Sequence, residues 1–334
     1  MSSTPENPNV NAPRLALCIP AYNARDFLPR LLASAQRQTV PFDEILVFDD
    51  ASTDETAELA RRHGAEVIRS ERNCGCSIGK NVLARNSTCD WLHFHDADDE
   101  LEPHFVAAAR SWMTSGSSPD VVFFAYVAKD DATGAELYIR TFDAAALAAD
   151  PVRYCLSEQI NPFCGLYRRK SFLAAGGWDE NPAVLASEDQ AGHLRLALAG
   201  LSFAADSRRT VINHIRKGSM TTGHPERCPP AEYTLLASNA EKIPPALHPL
   251  VAHRLWKIAG AAGAFLDWET ARSAVALARR LFPRSRPVGS LLFRSAARCS
   301  PMLALRVREM VVRATRPSLR RHPACHRRPQ HVVA

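Results

Sequence analysis

The stretch WLHFHDADDE, residues 91–100, runs an apolar, aromatic segment straight into Asp96, Asp98 and Asp99. Carboxylates grouped so closely repel one another and need a neutralising partner. The usual partner is a hard divalent cation, and such cations are often held to bind a phosphate. A second acidic pair, Asp49-Asp50, ends the apolar run EILVF at 44–48. A third, Glu188-Asp189, follows Ser187 at the start of an amphipathic segment. In the first turn of a helix the macrodipole favours an ionised Asp189. An ionised carboxylate within reach of a hydroxyl is what general-base catalysis requires.

These acids work together only if the fold gathers them. Residues 15–20, LALCIP, form an apolar run ended by proline, which reads as a buried strand. Asp26 is placed to cap the next helix, with Pro29 in its first turn, where proline is tolerated. Phe27, Leu28, Leu31, Leu32 and Ala35 line one face of it. Residues 44–48 give a second strand. Ser52 and Glu55 have capping-box spacing, and the helix through ETAELARRH stops at Gly64. EVIRS (66–70) is a third strand, a helix covers roughly 77–86, and WLHFH is a fourth strand.

Strand–helix repeated three times implies a parallel sheet with right-handed crossovers. Ligands of such sheets bind outside the carboxyl ends of the strands. Those ends carry Pro20-Ala21-Tyr22-Asn23, Asp49-Asp50 and Asp96-Ala97-Asp98-Asp99, so one rim collects the polar groups.

The second half changes character. DVVFFAYVAKD and ATGAELYI read as a hairpin around Thr133-Gly134. NPFCGLYRR is a strand entering the helix KSFLAAGG, and Thr210 to Ile215 is a short strand with His214, Arg216 and Lys217 at its end. From about 228 the chain is proline-rich and then helical through HRLWKIAGAAGAFLDWETARSAVALARRLF, until Pro283 and Pro287 break it. Residues 302–313 form a further basic amphipathic helix. HPACHRRPQHVVA reads as disordered, as does the polar start MSSTPENPNVNAP, which lacks the features of a secretory signal. His93 and His95 read as strand residues rather than ligands. No run of about 18 apolar residues is present, so no membrane span is expected.

The net charge of +6 hides a split. Residues 271–334 hold 15 Arg and a single acid, Glu309, a charge of +14 that leaves −8 for the rest. So basic a region suits an anionic surface. Arginines interleaved with Leu, Val and Met at helical spacing either lay a helix on anionic lipid or form a solvated bundle against the rest of the protein. Few aromatics and no recognisable module speak against nucleic acid. The nine cysteines show no repeated spacing, and Cys74-x-Cys76 has no second pair to complete a zinc site. They read as reduced thiols of a cytoplasmic protein.

IPAYN, EILVFDDASTDET, NCGCSIGKN, HDADD, and GGWDE followed by SEDQ occur in an order that resembles glycosyltransferase family 2, over roughly residues 13–222. The resemblance implies an α/β GT-A fold, a Rossmann-like, mostly parallel sheet with flanking helices, followed by a C-terminal helical region. The boundaries it suggests are a disordered lead at 1–12, a GT-A domain at 13–225, a basic helical region at 226–320 and a disordered tail at 321–334.

It also implies residue roles. Asp50 would hydrogen-bond the uracil of a UDP-sugar, with Asp49 supporting the loop and Pro20 and Tyr22 walling the base. Lys80, where the family often has arginine, would meet the donor as a point charge. Asp96 and Asp98 match the family's D-x-D motif. Asp96 would face the ribose or the metal, and Asp98 would ligate Mn²⁺ or Mg²⁺. Asp189 would be the base of an inverting transfer, with Glu188, Trp178 and Asp179 at the acceptor, and His214 and Arg216 would close on the diphosphate. Trp178 as core filler, Glu188 as a plain first-turn acid and His214 as a core histidine are the bland alternatives.

The resemblance implies a glycan, lipid-linked or other hydroxyl acceptor in surface-glycan or polysaccharide biosynthesis, at the inner face of a membrane or in the cytoplasm. A sugar nucleotidyltransferase would want an early glycine-rich loop, and LALCIPAYNARD has no glycine. A processive synthase would carry membrane spans and Q-x-x-R-W. A catalytically degenerate nucleotide-sugar binder or scaffold of the same fold would have lost Asp98 or Asp189, and both remain.

Overall fold

The computed structural model describes residues 12–116, 119–216, 224–321 and 332–333. Strand β1 (Leu15–Ala21) is buried throughout except at Pro20. Helix α1 (Leu28–Gln36) turns Leu28, Leu31, Leu32 and Ala35 inward. Strands β2 (Glu44–Asp49), β3 (Glu66–Arg69) and β4 (Trp91–Phe94) alternate with helices α2 (Thr56–Arg62) and α3 (Cys76–Asn86). β1 lies between β2 and β4, β3 lies outside β2, and all these pairings are parallel, as expected. Gly79 lets α3 sit close on the sheet, because a Cβ there would meet the Phe48 ring at 2.6 Å.

The chain continues through β5 (Glu100–Leu101), α4 (Phe105–Met113), β6 (Val121–Asp130) and β7 (Glu136–Arg140). α5 (Ala144–Ala149), α6 (Pro151–Ser157), β8 (Gly165–Arg168), α7 (Arg169–Ala174), α8 (Glu188–Leu198) and β9 (Phe203–Ile215) follow. Here the sheet becomes mixed. β8 bridges β4 and β6 antiparallel, and β7 returns along β6 through the expected hairpin, with Gly134 at φ +71°. β9 runs parallel along the other edge of β6 and pairs with β5. The first eight residues of β6 are buried, as befits a strand flanked on both edges.

Beyond the sheet come α9 (Cys228–Asn239), α10 (His248–Ala264), α11 (Trp268–Leu281), α12 (Leu291–Cys299), α13 (Pro301–Thr315) and α14 (Ser318–Arg321). The stretch read as one helix up to Pro283 is two. Leu266 takes a left-handed φ of +66°, and the Asp267 carboxylate accepts from Thr270 N at 3.0 Å, capping α11. The expected disorder at residues 1–11 and over most of the end falls outside the described residues. Val332–Val333 form β10, antiparallel to β7 at the sheet edge.

Two helix starts differ from expectation. Asp26 does not cap α1. Phe27 N and Leu28 N instead donate to Ala24 O. The Ser52–Glu55 capping box does not form either. The Ser52 hydroxyl accepts from Asn23 N at 2.9 Å, and Asp54 takes Thr56 N at 3.0 Å, so α2 begins later. At α1 a backbone carbonyl takes the place of the cap, and at α2 a contact across the loop takes the Ser52 hydroxyl.

His93, in β4, and His95, one residue past its end, are both fully buried. His93 Nδ1 donates to Gly165 O at 2.8 Å, so its Nε2 is the acceptor for His95 Nδ1 at 2.9 Å. Burial pulls His93 down to about 4, against the bond to Gly165 O, and pulls His95 well below the usual range. A base depressed in the folded state contributes stability that is complete above 6.5 and is lost as pH falls toward 4. Urea unfolding should therefore show about 3 kcal/mol lost across that window through His93. His93→Gln, which keeps a donor for Gly165, should flatten the fall between pH 6.5 and 5, and an unchanged slope would refute the assignment.

Candidate active site

The carboxyl ends of β1, β2 and β4 and the start of α8 form one rim. Of the four non-glycine residues with left-handed φ among those described, three stand on it: Asn23 (+47°), Ala51 (+60°) and Ala186 (+74°). Each follows or precedes a candidate residue, namely Tyr22, Asp50 and the Glu188-Asp189 pair. Backbone held this way costs about 1–3 kcal/mol per residue and is found where geometry matters more than stability.

Lys80 is the centre of the rim. Its side chain is buried, and its ammonium lies 3.9 Å from Asp96 Oδ1 and 3.8 Å from Asp189 Oδ1. It also stands 5.3 Å from the centroid of the Trp178 ring. Burial alone would lower Lys80. Cys76, then Asp96, Asp189 and Glu188, outweigh it and raise the lysine above its ordinary value. Burial pushes the Cys76 thiol up to about 12, so it stays neutral near pH 7 and the carboxylates carry the effect. Asp96 is raised, first by burial and then by Asp98 and Glu188, with Lys80 opposing.

Asp49 and Asp50 shape the neighbouring loops. Asp49 is buried, accepts from Ser52 N at 3.1 Å and lies 3.2 Å from Arg69 Nε, which suits a supporting role. The Asp50 carboxylate takes Cys74 N at 2.6 Å on one oxygen and Gly75 N at 2.8 Å on the other, anchoring the turn that leads into α3. Any contact with a base must be shared with those two amides. Pro20 is half-buried, whereas Tyr22 is 53% exposed and free to cover a ligand.

The three aspartates after β4 separate. Asp99 is buried and points away, accepting from Asn213 Nδ2 at 2.9 and 3.1 Å and from His214 N at 2.8 Å, which ties β4 to β9. Burial, then Asp98 and Asp96, raises it well above the usual carboxylate range. Asp98 stays at the rim and is held by the guanidinium of Arg216. Arg216 also stacks 3.8 Å from the centroid of the Phe27 ring. His214 is engaged elsewhere, with Nε2 2.9 Å from Glu100 and Nδ1 3.3 Å from Asp131, both also paired with Arg30. Of the two residues expected near a diphosphate, only Arg216 meets Asp98. Lys217 lies outside the described residues.

Trp178 is not an acceptor platform. It is 1% exposed and packs against Phe94, Tyr167, Phe172 and His193. A Cβ on Gly192 would meet its ring at 2.0 Å, so that glycine makes room for it. Gly176 and Gly177, at φ +90° and +65°, turn the chain inward just before it. Asp179 receives Arg195 at 2.9 Å and Asn181 N at 3.1 Å, fastening its loop to α8. Glu188 and Asp189 stand in the first turn of α8, as expected.

Asn81 carries no role in the sequence reading. Its side chain accepts from Trp178 N at 2.8 Å and donates to Trp178 O at 2.9 Å and Glu180 Oε1 at 2.8 Å. It clamps the loop before α8 to α3, next to Lys80. An amide adjoining the site lysine on a helix against the sheet was the available signal.

Among the described residues, no three carboxylates, imidazoles or thiols converge on one point. A divalent cation here would be held by Asp96 and Asp98, with phosphate oxygens and water completing its shell. That donor set fits Mn²⁺ or Mg²⁺.

Residues 16–173 match the model of glycosyl transferase family 2. An uncharacterized glycosyltransferase of Haemophilus influenzae is 33% identical over 116 residues, 34% of this chain and 39% of that protein. The match thus spans well under half the length of that relative. Staphylococcus aureus TarS 1-349 in complex with UDP-GlcNAc superposes with a TM-score of 0.66 at 18% identity, over 90% of this chain and 92% of its own. Mannosyltransferase PcManGT from Pyrobaculum calidifontis in complex with GDP-Man and Mn²⁺ gives 0.55 at 16% identity, over 94% and 85%. At these identities the structures show a shared fold.

The Asp50 anchor gives a direct test. Asp50→Ala leaves two amides at the α3 entrance without their acceptor, a loss of about 2 kcal/mol. Asp50→Asn, which keeps one acceptor oxygen, should lose less. Denaturant titration reads both, and amide exchange should quicken at Cys74 and Gly75 in the alanine variant. Unchanged exchange there would mean the anchor is not formed.

Proposed function

We propose, from the match of residues 16–173 to the model of glycosyl transferase family 2, that the chain transfers a single sugar from a UDP-sugar to an acceptor hydroxyl, with inversion at the anomeric carbon. One geometry supports this reading. Buried Lys80 lies within 4 Å of both the strand-end Asp96 and the helix-start Asp189. A carboxylate for the donor and a carboxylate for the acceptor thus meet over one fixed cation.

Asp189 takes the proton of the acceptor hydroxyl as that oxygen attacks the anomeric carbon, and the bond from that carbon to the diphosphate oxygen breaks. Lys80 orients the Asp189 carboxylate and places positive charge beside the departing diphosphate. Asp96 and Asp98 would hold Mn²⁺ or Mg²⁺, which when bound offsets the charge of the leaving diphosphate. Tyr22 covers the base and Arg216 is placed at the diphosphate side. Glu188 stands beside Asp189 at the acceptor side. The acceptor is a hydroxyl of a glycan, a lipid-linked molecule or another hydroxyl compound in surface-glycan or polysaccharide biosynthesis, as the family resemblance implies.

Calorimetry with UDP, GDP and dTDP, each with and without Mn²⁺, tests the donor half. UDP should bind with a requirement for the metal, and Asp98→Asn should weaken that metal-dependent binding. No nucleotide bound by the folded protein would overturn the reading. For the acceptor half, Asp189→Asn should lower kcat by about 10²–10⁴-fold while UDP affinity stays near wild type. Loss of UDP affinity in that variant would move Asp189 to the donor site.

A further inference from the structure

Eight of the thirteen large apolar side chains exposed among the described residues fall between Val288 and Leu319. On α13, Leu303, Val307 and Met310 are 60, 50 and 70% exposed and recur at i, i+4 and i+7. They form one outward stripe at the helical period. Arg306 and Arg308, both exposed, edge it on either side at about 100° per residue. On α12, which packs on α13, Leu291 and Leu292 are 76 and 84% exposed. An apolar surface this concentrated marks an interaction site.

Charge decides what covers it. Glu309, the one acid in residues 271–334, is buried and held inside by Arg313 at 2.9 Å and Arg320 at 2.7 Å. The ionic groups this region turns outward are therefore cationic. A second copy of the same surface would add like charge to like charge. A nucleic acid would leave the leucines against phosphate. An anionic lipid surface satisfies both halves, taking apolar side chains into the acyl boundary and arginines among the headgroups.

We propose that α12 and α13 dock this protein in the plane of an anionic bilayer. The contact is peripheral, since no described helix is long and apolar enough to cross a membrane. The inference does not depend on the sugar-transfer reading.

The test is sedimentation of the purified full chain with phosphatidylcholine vesicles, with and without phosphatidylglycerol. Binding should require phosphatidylglycerol and weaken with salt. The triple variant Leu303→Ser, Val307→Ser, Met310→Ser should bind at least tenfold more weakly, with thermal unfolding and nucleotide binding unchanged. Leu291→Ser with Leu292→Ser should do the same and guards against a local effect in α13. Failure of the folded wild type to bind anionic vesicles, or serine variants that bind like wild type, would overturn the proposal. So would a dimer in solution that the serine variants dissolve, because the stripe would then belong to a second copy.

Discussion

Taking an ammonium out of water costs several kcal/mol even after the protein relaxes, and Lys80 is 3% exposed. It stays charged only because carboxylates reach it from distant parts of the chain, Asp96 after β4 and Asp189 at the start of α8. Much else in the sheet half of the chain follows from keeping that arrangement. α3 must lie close to the sheet to deliver the lysine, which requires Gly79 against Phe48. The loop before α8 must be pinned to α3, which Asn81 does through both backbone polar groups of Trp178. Trp178 in turn fills the space under the lysine, and Gly192 yields it that space. A buried pair of this kind is weak evidence for stability. Its effect is to fix two carboxylates relative to each other.

The rim also shows how a fold manages grouped like charge. Asp99 is withdrawn into the protein and hydrogen-bonded to β9, Asp98 meets Arg216, and Asp96 meets Lys80. The acids adjacent in sequence thus have three different partners. Only Asp96 and Asp98 keep open faces, with about a third of each side chain exposed. These are the positions where an added cation would find oxygen donors without displacing buried structure.

The strands were legible because buried parallel strands are short apolar runs bounded by polar turns, and β1, β2 and β4 are such runs. The rim followed, because strand ends place their next residues on one edge. Partners distant in sequence were not legible. Ser52 has the right spacing for a capping box, but its hydroxyl is taken by Asn23 across the loop. Trp178 is the right residue type for a sugar platform, but nothing local says that two glycines turn it inward. The contacts of His214 and Asn81 were not legible for the same reason, since their partners lie 114 and 97 residues away.

The C-terminal helices expose a different ambiguity. Helical periodicity identifies an apolar stripe without saying whether it faces the protein or the outside. In α11 the stripe faces inward, with Ala271, Ala274, Val275 and Ala278 buried. In α13 the inward face is Ala304, Leu305 and the ion-paired Glu309, while larger apolar groups face out. A helix optimised only to pack on its neighbours would turn Leu303, Val307 and Met310 inward and leave its carboxylate in water, where solvation is free of desolvation cost. The reverse arrangement, with the acid buried against two arginines, sets the apolar and cationic groups on the same outer surface. Those exposed apolar groups gain nothing from burial in the isolated chain, and an apolar environment bearing negative charge is what would bury them without leaving the arginines unpaired.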